Sequence, residues 1–243
     1  MGSATSFWRT KGTVGILESG PLQAFAECDP DGAAFVPTRW KDKELQGLEV
    51  LGGVGRARLQ IAETYVRGND LVADCAHAGE DRIAPQLYWR AELVEKGQVA
   101  RVELVLSVRT ELLDSAPIWT TNSFVTDSML YHANELHSTS FSKINKTSGK
   151  FNRDDSAVQL FVFRIPRIGL SYSEMIHPSD FVSAEADGAD PPCVRAQLFP
   201  ERLEKGVIRR ARICGWFMPA KNDLETAVEL AKRFVDEPLP LTA

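Results

Sequence analysis

No apolar run in this sequence approaches the ~18 residues that a membrane-spanning helix needs. Basic residues are not in excess either: 28 Lys and Arg stand against 33 Asp and Glu, a formal charge of −5. The two signs are intermixed, so no basic footprint for nucleic acid is present and neither nucleic acid nor membrane is expected as a partner. Cysteines are few: Cys28, Cys75, Cys193 and Cys214. None forms a C-x-x-C pair, which removes support for a zinc knuckle or a thioredoxin-type motif and leaves them as small buried hydrophobes. Met1 to Arg9 lacks the basic-then-apolar order of a secretory signal, so a cytoplasmic location is expected. The G-x-S-x-G elbow of many serine hydrolases is missing. Gly52 to Arg58 falls short of G-x-G-x-x-G, because Arg58 takes the last glycine place and a strand-like alternation follows. No cofactor and no metal site are expected. Internal repeats and convincing linkers are lacking too, so residues 1–243 are read as one domain.

What the sequence does have is period-two alternation. Leu59, Ile61, Glu63 and Tyr65 alternate with Gln60, Ala62, Thr64 and Val66, and Gly68-Asn69-Asp70 turns the chain back. Leu87, Trp89, Ala91 and Leu93 share one face of the next run, and Val102, Leu104, Leu106 and Val108 share one face of its return. Such patterning predicts sheets with one buried and one wetter face. Gly52-Gly53-Val54-Gly55 is read as a loop. Leu224, Ala227, Val228, Ala231, Phe234 and Val235 instead recur at helical spacing, with Asn222 as cap, Glu225 at the third helical position and Pro238 and Pro240 as the stop. The expected fold is all-β: a large antiparallel β-sandwich of roughly nine to twelve strands with a C-terminal α-helix.

The alternation breaks between Thr121 and Asp155. That stretch holds 14 Ser, Thr or Asn in 35 positions, together with His132 and His137. A polar connection this long suits a functional loop or lid. Within Tyr131-His132-Ala133-Asn134-Glu135-Leu136-His137 the spacing is not H-E-x-x-H. His132 and Glu135 would share a helical face, and Glu135 and His137 a strand face. Either pair suits acid–base chemistry, since imidazole titrates near neutrality and a carboxylate can orient it. The competing reading is a solvated loop. A second cluster is Glu174, His177 and Asp180, where Pro178 pushes His177 into an extended conformation at a strand end. Its competing reading is a turn held by Ser179 or Asp180. Arg164, Arg167, Arg195, Arg209, Arg210 and Arg212 would hold an anion if several shared a face, but Arg209 points opposite to Arg210, while Arg210 and Arg212 share a side; otherwise they line a wet sheet face beside Glu201 and Glu204. Trp89 falls on a core face, whereas Trp40 and Trp119 are candidate stacking platforms for sugar rings.

The stretches Gln86-Leu87-Tyr88-Trp89-Arg90 and Leu203 to Arg212, with Phe217-Met218-Pro219 and Pro238 to Thr242, resemble an uncharacterised family of β-rich bacterial proteins. That resemblance implies a β-rich fold and no particular activity. In outline the many-stranded pattern is also similar to galactose mutarotase-like sandwiches, a similarity that implies histidines and a carboxylate on a sheet face. Three functions are therefore carried forward. The first is binding of a small polar ligand such as a carbohydrate on a concave sheet face, with His132, Glu135 and His177 central and Tyr131, His137, Trp119, Asp180 and Arg210 in contact. The second is a sugar isomerase or lyase using the same histidines and carboxylate. The third is a non-catalytic interaction protein. Oligomeric state is left open.

Overall fold

The computed structural model describes residues 7–55, 58–80, 82–136, 140–145, 149–153, 159–199 and 201–238. In chain order the first strands are β1 Trp8–Lys11, β2 Val14–Ser19, β3 Leu22–Asp29, β4 Gly32–Trp40, β5 Lys43–Glu44, β6 Leu48–Gly55 and β7 Ile61–Arg67. Next come β8 Asp70–Cys75, β9 Ile83–Val94, β10 Val99–Thr110, β11 Trp119–Val125, β12 Met129–Ala133 and β13 Ser142–Ile144. The last are β14 Gly149–Asn152, β15 Leu160–Ile165, β16 Leu170–Ile176, β17 Ser183–Asp187, β18 Cys193–Leu198 and β19 Arg209–Pro219. Among the described residues one α-helix, α1, spans Asp223–Asp236.

Among the described residues these strands form two antiparallel sheets, and the fold is an all-β sandwich. One sheet has ten strands in the order β1-β2-β3-β4-β6-β11-β18-β17-β14, with β5 added to β4. The other has nine, in the order β13-β12-β15-β16-β19-β10-β9-β8-β7. The alternation that predicts the sheets also sets their register. Trp89 lies opposite Leu104, and Arg90 opposite Glu103, so apolar side chains stack inward while charged ones meet on the other face. The main core fills the space between the sheets, and Trp89 donates its indole N–H across it to the Leu51 carbonyl at 3.1 Å.

Two expectations change. The 121–155 stretch is not a strandless loop: β11, β12, β13 and β14 run through it, and they contribute to both sheets. His137 falls outside the described residues. Gly52 to Gly55 is the end of β6 rather than a loop. Glycine is required there by close approach, since a Cβ on Gly52 would lie 2.1 Å from the Ala33 carbonyl oxygen and one on Gly53 2.3 Å from that of Thr120.

Helix α1 lies on the outer face of the nine-stranded sheet, over β15, β16 and β19. Ala227, Val228, Ala231 and Phe234 are buried against Leu160, Val162, Met175 and Trp216. Asn222 precedes the helix as expected, but its side chain forms no capping bond; its carbonyl instead accepts from the Thr226 amide. No helix among the described residues is long and apolar enough to cross a membrane. Cys28, Cys75 and Cys214 are buried and Cys193 is half-buried, all as free thiols. Burial pushes the Cys75 thiol up to about 11, so it is inert near neutrality.

Candidate ligand pocket at one end of the sandwich

The ends of β16 and β19 create an opening. Pairing between these strands stops at Ile176 opposite Ile213, because Pro178 cannot donate to a ladder. The first residues of β19 therefore keep β10 on one side and lack a strand on the other. The turn after β16 substitutes for that strand. His177 donates its backbone N–H to the Arg212 carbonyl at 2.9 Å, and the Asp180 carboxylate accepts the Arg212 N–H at 2.9 Å. Side-chain capping of an open strand edge in this way satisfies backbone groups that would otherwise be stranded.

A pocket of about 400 Å³ opens beside this edge, and Arg153, Ser179, Asp180, Glu201, Arg209 and Arg210 line it. Its charges are unevenly matched. Arg209 pairs with Glu201 at 3.3 Å, both side chains being largely solvated. Arg153 donates to the Ser179 carbonyl at 3.3 Å. Arg210 is exposed and makes no hydrogen bond or ion pair among the described residues. Arg212 presents backbone here but sends its guanidinium inward, to Glu103 at 2.6 Å and over the Phe234 ring at 4.6 Å. Burial raises the Asp180 carboxyl above the usual range, against the opposing pull of Ser179, the Arg212 amide and the nearby His177 and Arg212 charges.

The sequence candidates separate around this pocket. Asp180 and Arg210 line it. His177 sits beside it on the helix side of the sheet, with Nδ1 2.8 Å from Ser179 Oγ, Nε2 3.4 Å from the Val235 carbonyl and the ring edge-on to Phe234 at 5.4 Å. His132 occupies the opposite face of the same sheet. Its ring packs on Phe151 at 4.2 Å and Phe161 at 5.1 Å, and Nε2 lies 2.6 Å from Gln159 Oε1. The two imidazoles thus share no pocket. Burial holds His132 below the usual histidine range, opposed by the Gln159 bond, so it is neutral near pH 7. Glu135 is exposed after β12, and no hydrogen bond or ion pair to it is found among the described residues. Tyr131 points to the helix side, with the Arg164 guanidinium 5.2 Å from its ring. Arg164 itself is bound by Asp223 at the start of α1.

Trp119 is 3% exposed, too buried for an open stacking platform. It forms part of the wall of a second cavity, about 340 Å³, between the sheets at the same end of the sandwich. Its neighbours there include Leu59, Ile83, Val108 and Ile118. Sequence reasoning missed Arg153, which reaches the pocket only because β14 and β17 pair at the sheet edge. The signal that was available is the Pro178 stop; Arg209 and Arg210, adjacent in an extended run, alternate in face and gave none.

No protein-family model matches the sequence, and no curated protein sequence does. Similar solved structures exist at low identity. The structure of HI1317 is 7% identical with a TM-score of 0.42, over 86% of this chain and 97% of that one. An α-galactosidase of Geobacillus stearothermophilus is 11% identical with a TM-score of 0.44, over 85% of this chain but 40% of that one. A GalM/aldose epimerase homologue from C. elegans is 9% identical with a TM-score of 0.43, over 85% of this chain and 95% of that one. This chain is similar to them in coarse outline.

Proposed function

We propose that the protein binds a small, negatively charged polar ligand, with phosphorylated or acidic carbohydrates as the leading class, in the pocket at the open edge of β19. The observation that carries this reading is an exposed, unpaired Arg210 next to Arg209 and Arg153 in one concavity. Guanidinium forks suit phosphate and carboxylate oxygens, and one without a partner among the described residues has no ion pair to break on meeting them. The pocket volume of about 400 Å³ falls within the roughly 300–1,000 Å³ typical of small-molecule sites. The proposed site lies at strand ends rather than on a sheet face, so His132, Glu135 and Tyr131 have no part in it.

Calorimetric titration with glucose 6-phosphate, glucuronate and glucose tests this. Saturable binding of the two anions, weak binding of glucose, and loss of the difference in Arg209→Ala/Arg210→Ala is the expected result. Equal behaviour of glucose and its phosphate would remove the reading. A ligand at a hundred times its dissociation constant should also add about 2.7 kcal/mol to stability.

A second reading makes the pocket catalytic, and Asp180 favours it. A carboxyl held above its usual range and beside His177 through Ser179 is suited to proton transfer. Asp180→Asn separates the two readings: it abolishes turnover of a bound sugar phosphate if the site is catalytic, and leaves a binding protein's affinity within a few-fold.

A further inference from the structure

The arginine-lined pocket and the apolar chamber are neighbours. Val108 lines the chamber, Arg209 lines the pocket, and the two are cross-strand partners in β10 and β19. Adjacent strands lie about 4.8 Å apart. One residue, Phe199, belongs to both walls. Phe199 follows the last residue of β18, is 8% exposed and holds a backbone φ of +62°, a left-handed conformation that non-glycine residues seldom adopt. Phe199 is thus shared by a cationic concavity and an apolar one.

The two cavities differ sharply in chemistry. Leu59, Ile83, Pro85, Val108, Ile118 and Trp119 give the chamber apolar walls, and its charged neighbours, Arg58 and Glu80, are exposed. Arg58 is within 3.1 Å of Asp31. A cavity of about 340 Å³ with such walls has little to offer water and favours an apolar ring or a short alkyl chain. A sugar phosphate offers no apolar group to such a chamber.

We propose that the ligand is an amphipathic anion: its charged head is held by Arg209, Arg210 and Arg153, and its apolar substituent passes Phe199 into the chamber beside Trp119. The inference rests on the pocket reading above and adds the ligand's second half. It makes Phe199 a specificity-determining wall, and Ala116 and Ala78, which also line the chamber, the positions that limit substituent size.

The test uses three probes on the full chain: inorganic phosphate, hexyl phosphate and 1-hexanol, followed by calorimetry. Hexyl phosphate should bind about tenfold or more tighter than inorganic phosphate, the gain expected from burying several methylenes. Ala116→Phe, and independently Ala78→Leu, should erase that gain and leave phosphate affinity unchanged, with unaltered thermal midpoints reporting intact folding. Arg209→Ala/Arg210→Ala should weaken both anions alike. Hexyl phosphate binding no tighter than phosphate, or a gain that survives both chamber-filling variants, would overturn the inference. So would hexanol binding as tightly as hexyl phosphate, since the head would then contribute nothing. If phosphate binding is lost in the arginine variant while the alkyl chain adds nothing, the pocket reading stands and only this inference falls. If neither anion binds, both fall.

Discussion

Glu174 is a fully buried carboxyl in the middle of the sandwich. It accepts hydrogen bonds from Ser123 Oγ at 2.5 Å, across the core from β11, and from Tyr172 Oη at 2.7 Å. Burial raises its pKa, and the two hydrogen bonds only partly oppose that rise. An acid whose folded pKa is raised holds its proton more tightly when folded. Its contribution to stability is therefore complete below the ordinary value of 4.5 and is lost as pH climbs through the folded pKa. Glu174→Gln should flatten the fall of unfolding free energy with rising pH above that value, as read from denaturant midpoints at pH 5 and pH 8. An unchanged slope would assign the pH dependence to Asp180 and Glu49, which burial also raises. Glu174 faces Ser123 in the core, while His177 lies on the helix side of the sheet. That Glu174 points inward is hidden in the sequence, because its partner Ser123 sits in a Ser- and Thr-rich run that looks solvated.

The helix was the most legible element, and how it is fastened was the least. Its apolar spacing predicts the buried stripe at Ala227, Val228, Ala231 and Phe234. Its fastenings come from strands far away in sequence. At the N-terminal end Asp223 is 1% exposed and accepts from Arg164 and from Ser171 Oγ. At the C-terminal end Glu237 accepts from Arg101 at 2.6 Å and from Arg212 at 3.3 Å. Arg212, expected on a wet face, is 2% exposed, and Glu103 at 3% exposure meets it at 2.6 Å. Alternation cannot reveal this, since a buried ion pair and a solvated one have the same spacing in sequence. Removing one partner of a buried pair leaves the other charge uncompensated, which costs about 3–5 kcal/mol. Glu103→Gln should cost less than that, about 1–3 kcal/mol, because Glu237 still accepts from Arg212 and Arg101, whereas Glu201→Gln, at a solvated pair with Arg209, should cost about 0–1 kcal/mol. Phe234→Ala removes a ring packed edge-on to Trp216 at 5.9 Å and should cost about 3–5 kcal/mol. Chemical denaturation of the three variants checks the order.

Across the whole molecule, the two hairpins β7–β8 and β9–β10 could be read from sequence, while the passage from β11 to β14 could not. Strands of three to seven residues give alternation too few periods to stand out, and inward-facing Thr121 and Ser123 erase what contrast remains. The same passage carries the chain from the ten-stranded sheet to the nine-stranded one and back, so that Phe151 of β14 meets His132 of β12 across the sandwich. The resulting architecture distributes stability unevenly. β10 is flanked by β9 and β19 over its length and buried on both faces, whereas β13 and β1 are edges with one neighbour each. Local opening is cheapest at such edges and at unpaired strand ends. Amide hydrogen exchange should therefore be slowest at Val102–Leu106 and fast at Ser142–Ile144. The segment Ile208–Arg212 should exchange at an intermediate rate, with a ladder on one side and the Asp180 cap on the other. Saturating glucose 6-phosphate should slow exchange at Ile208–Arg212 and around Ser179 while leaving Ser142–Ile144 unchanged, because an anion held by Arg209 and Arg210 pins the open end of β19. Slowing confined to Ser142–Ile144 and the strand bearing His132 would instead put the ligand on the opposite face of the sheet, and the pocket at the end of β19 would lose its claim.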